Sequence, residues 1–446
     1  MAMVVKNNMS ALSTLNTLNK NTNALSKSLK KVSSGMKINS AADDASGYAI
    51  SERMRVQIRS LDQANSNAQN GGSMMKVAEG AVSSTVEILK TLKEKAVNAA
   101  NDTNTDADRQ TIQKELDQSI DQINDNANVT FNGQYLVDGS KNSKTIATCT
   151  ALTNQSLSTD TVGTTALTDL QARNGDSLNI QSSDTVTVSW VQNGKTYSTS
   201  FDVGTKTTLT GIFEKNTGLP KVNGKDVTIA SFIKFNGATS EISKWDGSKN
   251  PVKTASGENA VTLMAANSGI DNQISGFTIS ITDNTGAVRK SANAALDAFD
   301  ETLRAQNKSA DNSINLQIGT KANQTIKVGL TDMKAHALGL QGSDNATIQV
   351  GNQKQANAAI NVLDAAIQKA LDQQTTIGAV QSRLEYTQSN LTTASENVTA
   401  AESTIRDADM AKEMTEYTKN NVLMQAAQSM LAQANQSSSN VLSLLQ

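Results

Sequence analysis

The residues that carry most enzyme chemistry are scarce in this chain, and each scarcity closes a class of function. A single histidine, His336, excludes the H-E-x-x-H zinc protease pattern, which needs two imidazoles on one helix face, and a Cys/His zinc cluster fails on number as well. Ser-His-Asp or Cys-His catalysis would have to run through that same residue in "TDMKAHALGLQG", which reads instead as a loop histidine. One cysteine, Cys149, closes no intramolecular disulfide, so packing alone must hold the chain together. Aromatic residues make up 3% and apolar residues 37%, which argues against one compact enzyme and for extended helices packed on small side chains. Forty basic residues face forty-two acidic ones with no dense Lys/Arg block, so no nucleic acid partner is expected. No apolar run approaches the roughly 18 residues a membrane span needs, and no membrane insertion is expected. The start, "MAMVVKNNMSALSTLNTLNK", lacks the basic region and continuous apolar core of a secretory signal, which implies a cytosolic protein or one that leaves by another route.

What is present divides the chain into two materials. At 446 residues it is long enough for two to four domains. Both prolines, both tryptophans and six of the seven phenylalanines lie in the middle, and residues 140 to 313 alternate apolar and polar positions, as in "DTVTVSWVQ" and "GFTISITDNTGAV". This centre reads as a β-rich insertion with one helix near Ser291 to Asn307. The flanks, 1 to 130 and 353 to 446, are free of proline and helical in pattern, so the fold class is α+β: mainly α at both termini, with long coiled-coil helices forming a rod and a β-rich centre.

Three apolar series define the helices. The first, through Val4, Ala11, Leu15, Leu18, Leu25, Leu29, Val32 and Met36, reads as a coiled-coil seam. A second repeats every seven residues through Met54, Leu61, Ala68, Met75, Val82, Leu89 and Ala96, until "NDTNTDAD" breaks it and a shorter helix follows from Ala107 to Asn126, capped by Asp106. The third runs through Leu363, Ala370, Ile377, Leu384, Leu391, Val398 and Ile405 with the same period, and two seams of matching period in one chain are expected to pair. From Met410 onward Met414, Tyr417, Met424, Ala427, Met430, Leu431 and Ala434 give a looser face, and Val441, Leu442, Leu444 and Leu445 crowd the end. Apolar stripes at both termini have little in one molecule to cover them, which points to assembly.

Between the first two series lies "SSGMKINSAADDASGYAISERMR", with two glycines and the acidic pair Asp43-Asp44. Adjacent helical residues point about 100° apart, and Glu52 is the only further carboxylate nearby in sequence, so caps or contacts explain the pair better than metal ligation. In that reading Ser40 caps a helix whose first turn carries the acids. The stretch "NGGSMMKVAEG" lacks the lysine and preceding strand of a phosphate loop, and its glycines read as close helix packing. No cofactor is expected.

The run "LSKSLKKVSSGMKINSAADDASGYAISERMR" resembles the N-terminal signature of the bacterial flagellins, and "ESTIRDADMAKEM" with "MLAQANQSSSNVLSLLQ" resembles the C-terminal one. With "TFNGQYL" and "INLQIGTKANQTIKVGL", the likeness spans about 60% of the chain. It implies a flagellar filament subunit in the form of a homopolymer, with residues 1-40 and 406-446 as the inner terminal helical pair that polymerises. Residues 41-140 and 314-405 would be the helical rod domain with a β-hairpin near 314-340, and 141-313 a variable surface-exposed domain. It also implies secretion to the extracellular flagellum as an unfolded chain through the flagellar type III export apparatus, helped by an export chaperone and the filament cap. Leu15, Leu18, Leu25, Leu29, Val32, Leu431, Val441, Leu442, Leu444 and Leu445, with the joint charges Asp43, Asp44, Arg53 and Arg55, are the expected polymerisation interface.

Flagellins are also ligands of Toll-like receptor 5 through a helix that typically reads R-V-R-E-L-A-V-Q-A-A-N. The aligned stretch here is "TLKEKAVNAAN": Thr91 replaces an arginine, Lys93 keeps a positive charge, Lys95 replaces a leucine, and Glu115 matches a glutamate further along. Losing an interface arginine commonly costs about 1 to 4 kcal/mol, so weakened recognition is expected, with partial binding through the remaining surface as the alternative. Two other functional readings stay open at the level of sequence: a hook-filament junction protein, and a flagellin whose insertion acts as an adhesin or enzyme.

Overall fold

The computed structural model describes residues 8–204, 207–214, 229–239, 241–242, 252–254 and 256–444. Val4, Pro220, Trp245, Pro251 and Leu445 lie outside the described residues. The helices are α1 Met9–Ser34, α2 Ala45–Ala99, α3 Asp106–Ala127, α4 Leu209–Glu214, α5 Lys290–Leu296, α6 Gln353–Arg406 and α7 Met410–Leu444. The strands are β1 Thr130–Phe131, β2 Gln134–Tyr135, β3 Ala151–Asn154, β4 Thr185–Gln192, β5 Lys195–Asp202, β6 Ile233–Thr239, β7 Glu241–Ile242, β8 Val252–Lys253, β9 Ala260–Ala265, β10 Ile274–Thr282, β11 Phe299–Leu303, β12 Ile314–Gln317 and β13 Thr325–Val328. The fold is mixed α+β, with helices toward both ends and strands between them. Two compact units divide it, one formed by residues 1–69, 317–324 and 385–446, the other by 70–316 and 325–384.

In the first unit α1 and α7 pair antiparallel, and the start of α2 lies against the end of α6. Leu61, Ala64 and Ala68 of α2 and Leu391 of α6 are buried there, and Ser395 Oγ donates to Asp62 Oδ1 at 3.0 Å. Asn67 Nδ2 donates to Gln317 O at 3.1 Å, which ties the end of β12 to α2.

In the second unit the seven-residue series are the buried positions. Met75, Val82, Leu89 and Ala96 on α2 and Leu363, Ala370, Ile377 and Leu384 on α6 are fully enclosed. A bond from Gln381 Nε2 to Glu79 Oε2 at 2.7 Å and the Lys93–Asp364 ion pair set the two helices antiparallel. Burying each leucine or valine stabilises by about 1.5–3 kcal/mol, so the repeat itself carries the helix pairing.

α3 starts one residue earlier than its sequence pattern suggests. Thr105, in extended conformation, is the cap: its hydroxyl accepts from Asp108 N while the Asp108 carboxylate accepts from Thr105 N at 2.9 Å. This reciprocal box outcompetes Asp106, which sits inside the first turn and pairs with Arg109 at 3.1 Å. Arg109 in turn donates to the carbonyls of Ala99 and Asn101, stitching the break after α2.

The central strands form a three-stranded sheet, ordered β10-β4-β5, and a four-stranded sheet, ordered β11-β3-β9-β6, all antiparallel. Alternation does what it implies: Val186, Val188 and Trp190 of β4 and Phe277, Ile279 and Ile281 of β10 point into one shared core. Trp190 stacks on Tyr197 with ring centroids 5.4 Å apart, and Phe232 closes the cluster. The helix expected across Ser291 to Asn307 stops at Leu296, because Phe299 to Leu303 pair with β3 instead. The expected hairpin is shorter too, ending at Val328. Beyond it Leu330, Met333, Ala335, Leu338 and Leu340 are buried without period-two spacing, and their backbone is held by Lys141 O, Val137 O and Asn124 Oδ1 rather than by a second strand.

Candidate self-assembly surface

The α1–α7 pair is joined by polar groups as much as by apolar ones. Asn8 Nδ2 donates to Ala434 O, Asn21 Nδ2 to Leu423 O, Asn420 Nδ2 to Ser28 Oγ, and Lys31 meets Glu413 at 3.1 Å. The stripe of α1 turned toward α7 is Ala11, Thr14, Leu18, Asn21, Leu25, Ser28 and Val32, of which Ser28 is the buried residue. Leu18, Leu25 and Val32 therefore sit where the sequence series places them. Leu15 and Leu29 do not: each follows a stripe position by one residue, which rotates it about 100° away. The inner positions of that turn belong to Thr14 and Ser28. As a result Met9, Leu12, Leu15 and Leu29 are between 41% and 69% exposed.

α7 repeats the division. Tyr417, Met424 and Leu431 are half-buried and Ala427 buried, whereas Met410, Met414, Val422, Leu423 and Met430 stand in solvent. The helix continues through Val441, Leu442 and Leu444, whose side chains lie outside the description, as does all of Leu445. Among the side chains described, the two paired helices thus carry nine large apolar ones facing outward, four on α1 and five on α7.

At the end of α1 the chain enters a joint made from two segments. Gly35 adopts φ 70, the left-handed cap conformation that glycine takes without strain, and its N–H donates to Lys31 O. Lys37 N donates to Arg406 O at 2.7 Å and Ala408 N to Gly35 O at 2.9 Å, with Met36 bridged to Asp407. The turn α1–α2 and the turn α6–α7 are therefore one backbone-bonded element.

The acidic pair serves this joint, though not in the way the sequence suggests. Asp44, not Ser40, caps α2: its Oδ1 accepts from the N–H groups of Ser46 and Gly47, both at 3.0 Å. Asp43 Oδ2 accepts from Asn39 N, Ser40 N and Ser40 Oγ, closing the turn before the helix. The helix begins only at Ala45, so the acids precede its first turn instead of lying in it. The Gly47 N–H leads the groups that hold the Asp44 carboxyl below its ordinary value. For Asp43, desolvation pushes upward, but the bonds from Asn39 and Ser40 outweigh it and the carboxyl again lies low. Among the described residues no group of three or more His, Cys, Asp or Glu is arranged to hold a metal ion.

Arg406 is the residue that the sequence reading missed. Its side chain is 8% exposed, and its guanidinium donates to Glu52 Oε1 at 2.7 Å, Ser51 Oγ at 3.2 Å and Met36 Sδ at 3.2 Å. It also lies 5.6 Å from the centre of the Tyr48 ring. The bond from Arg406 is the chief reason the Glu52 carboxyl sits below its ordinary value, and Arg55 adds to it from 3.2 Å. Arg53 is exposed on the helix surface. Arg406 joins Glu402 of its own helix, at 4.0 Å, to Glu52, which lies 354 residues away, and only its place at the end of the third apolar series marks it in the sequence.

Residues 5–142 match the family model of the bacterial flagellin N-terminal helical region, and residues 360–445 match that of the C-terminal helical region. A flagellin of Clostridium tyrobutyricum is 36% identical over 97% of this chain and 99% of that protein. The chain belongs to the bacterial flagellin family. Another flagellin, from Bacillus subtilis, is 31% identical over 99% of this chain and all of its own length. The flagellar filament 33 kDa core protein of Treponema phagedenis is 29% identical over 99% of this chain.

In this flagellin the stretch aligned with the receptor-binding helix lies on α2. Thr91 is exposed and its hydroxyl is turned back to Glu87 O at 3.1 Å. Lys95 bonds Glu115 of α3 at 2.9 Å, and Lys93 is engaged by Asp364. Of the four positions singled out in the sequence, the structure brings Lys95 and Glu115 together.

Proposed function

We propose that this chain is the structural subunit of a bacterial flagellar filament, which assembles by burying the outward faces of α1 and α7 against other copies. The observation that carries this reading is the row Met9, Leu12, Leu15 and Leu29 beside Met410, Met414 and Met430, all exposed on helices already paired with each other. In this reading residues 1-40 and 406-446 polymerise, 41-140 and 314-405 form the supporting helical domain, and 141-313 project as the variable region. The subunit performs no chemistry, uses no cofactor and works outside the cell.

Export through the flagellar type III route as an unfolded chain, with an export chaperone and a filament cap as partners, agrees with the composition. One cysteine cannot form an intramolecular bridge, and two prolines offer few slow isomerisation steps on refolding. Toll-like receptor 5 is a further proposed partner, with weakened recognition. Thr91 supplies no guanidinium, and the Glu115 carboxylate is occupied by Lys95.

Seeding the purified full chain with filament fragments and viewing it by electron microscopy tests the main reading. Long filaments are expected, and chains lacking Val441 to Gln446 should stay soluble. Small rings would favour a hook-filament junction protein, and filaments from the truncated chain would overturn the terminal-helix mechanism.

A further inference from the structure

Six Asn–Gly pairs occur in the sequence, beginning at Asn70, Asn132, Asn174, Asn193, Asn223 and Asn236. Such a pair is self-reactive, because a glycine without a side chain lets its backbone nitrogen reach the asparagine Cγ. The fold decides where that reach is open. Asn223 and the side chain of Asn236 lie outside the described residues; the other four pairs are described in full.

Three of the four are locked. Asn70 lies inside α2, whose hydrogen-bond ladder takes up the Gly71 N–H, and Gly71 packs so closely on Leu316 that a Cβ would stand 2.7 Å from Cδ1. Asn174 accepts from Asp176 N at 3.1 Å and donates to Asp176 Oδ2 at 2.6 Å, while Gly175 N donates to Ala172 O at 2.9 Å. Asn193 accepts from Ser343 N at 2.7 Å and donates to Ser343 Oγ at 3.1 Å, so both ends of its amide are held.

Asn132 is held by none of these devices. With Gly133 it forms the two-residue loop of the β1–β2 hairpin, at φ 50 and φ 75, the pair of positive values that such a turn requires. Both residues are exposed, and among the described residues neither the Asn132 amide nor the Gly133 N–H has a hydrogen-bond partner. The turn rests on two strands of two residues each, with Thr130 opposite Tyr135 and Phe131 opposite Gln134. A two-stranded hairpin of that length is marginally stable, so local opening frees the Gly133 nitrogen to swing toward Asn132 Cγ.

We propose that Asn132 is a site of spontaneous modification, converted by water to aspartate and isoaspartate. The Gly133 nitrogen gives up its proton and bonds to Asn132 Cγ. The Cγ–Nδ2 bond breaks, and ammonia leaves carrying that proton, which closes a five-membered succinimide. Water then opens the ring. Cleavage between the nitrogen and Cγ gives aspartate; cleavage between the nitrogen and the main-chain carbonyl gives isoaspartate, whose backbone is one carbon longer. Water enters and ammonia leaves, with no change of oxidation state. Both products put a negative charge at the hairpin tip, and the longer backbone of isoaspartate does not fit a two-residue turn, so the hairpin loosens irreversibly.

Incubating the folded full chain at mildly alkaline pH and mapping its peptides by mass spectrometry tests this, since each converted site gains the mass difference of O for NH. Asn132 is expected to convert at least about tenfold faster than Asn70, Asn174 and Asn193, as its lower local protection implies. In concentrated urea the four sites should convert at similar rates, because the unfolded chain exposes them alike. The converted chain, separated by its added charge, should show faster amide exchange at Leu136, whose N–H donates to Val129 O. Conversion of Asn132 no faster than that of Asn193 in the folded chain would overturn the site, and unchanged exchange at Leu136 in the converted chain would overturn its effect on the hairpin.

Discussion

At the residue scale, the joint depends on charge placed between segments far apart in sequence. Removing the Arg406 side chain leaves Glu52 with Arg55 alone, takes from Ser51 Oγ the guanidinium that donates to it and strips the Tyr48 ring of its cation. Arg406→Ala should therefore raise amide exchange at Lys37 and Ala408 by about tenfold or more, as expected for loss of a charged hydrogen bond, while Arg53→Ala should not. The pH response follows from direction. Asp43, Asp44 and Glu52 all sit below their ordinary values of 3.8 and 4.5, so each contributes stability that is fully present above those values. That contribution is lost as pH falls through the lower folded values. Exchange at the joint should accelerate below about pH 4 in wild type, and Asp44→Asn should flatten that response. Gly35, Ser40 and the acidic pair mark a break between helices in the sequence, and the structure places the turn between α1 and α2 there. The sequence could not show which residue caps, because Ser40 and Asp44 are both good capping types and only the backbone path decides. Arg406 was illegible for a different reason: Ser51, Glu52 and Met36, to which it donates, lie more than 350 residues away, and no periodicity encodes a contact across such a distance.

At the element scale, strict period was a reliable guide and loose period was not. The series from Leu61 to Ala96 and that from Leu363 to Leu391 repeat every seven residues and are buried throughout, while Met54, Val398 and Ile405 at their ends are half-buried. In α1 the apolar positions alternate between two stripes, so sequence alone merged an inner face of Leu18, Leu25 and Val32 with an outer one of Leu15 and Leu29. The polar residues Thr14, Asn21 and Ser28 that complete the inner stripe carry no hydropathy signal. Leu89→Ala should destabilise by about 2–5 kcal/mol in a thermal melt, the range for a fully enclosed leucine. Leu15→Ala should stay within about 0.5 kcal/mol of wild type in the same measurement, since the side chain is already in water. The receptor-like stretch of α2 allows a gain-of-function check. Thr91→Arg with Lys95→Leu should raise the response in Toll-like receptor 5 reporter cells by roughly tenfold or more, as restoring an interface arginine implies. A titration indistinguishable from wild type would contradict the proposal that these substitutions weaken recognition.

At the scale of the whole molecule, the central claim is that the outward apolar faces of α1 and α7 exist for other copies of the chain. Folding satisfies α1 and α7 against each other through Asn8, Asn21, Ser28 and Lys31, yet leaves Met9, Leu12, Leu15 and Leu29 of α1 and Met410, Met414 and Met430 of α7 exposed. The central β region was legible as a β-rich insertion because period-two alternation is local; its sheet order was not, because β3, β9 and β11 pair across more than a hundred residues. The α-helical flanks were legible for the same local reason, and their outward faces are where function is expected. The most direct measurement is seeded growth of filaments from the triple variant Leu15→Ala, Leu29→Ala, Met414→Ala, followed by light scattering beside a melting curve. The account predicts a melting temperature close to wild type and growth reduced at least about tenfold, as expected when apolar burial between subunits is lost. Growth at the wild-type rate from a folded variant would contradict it.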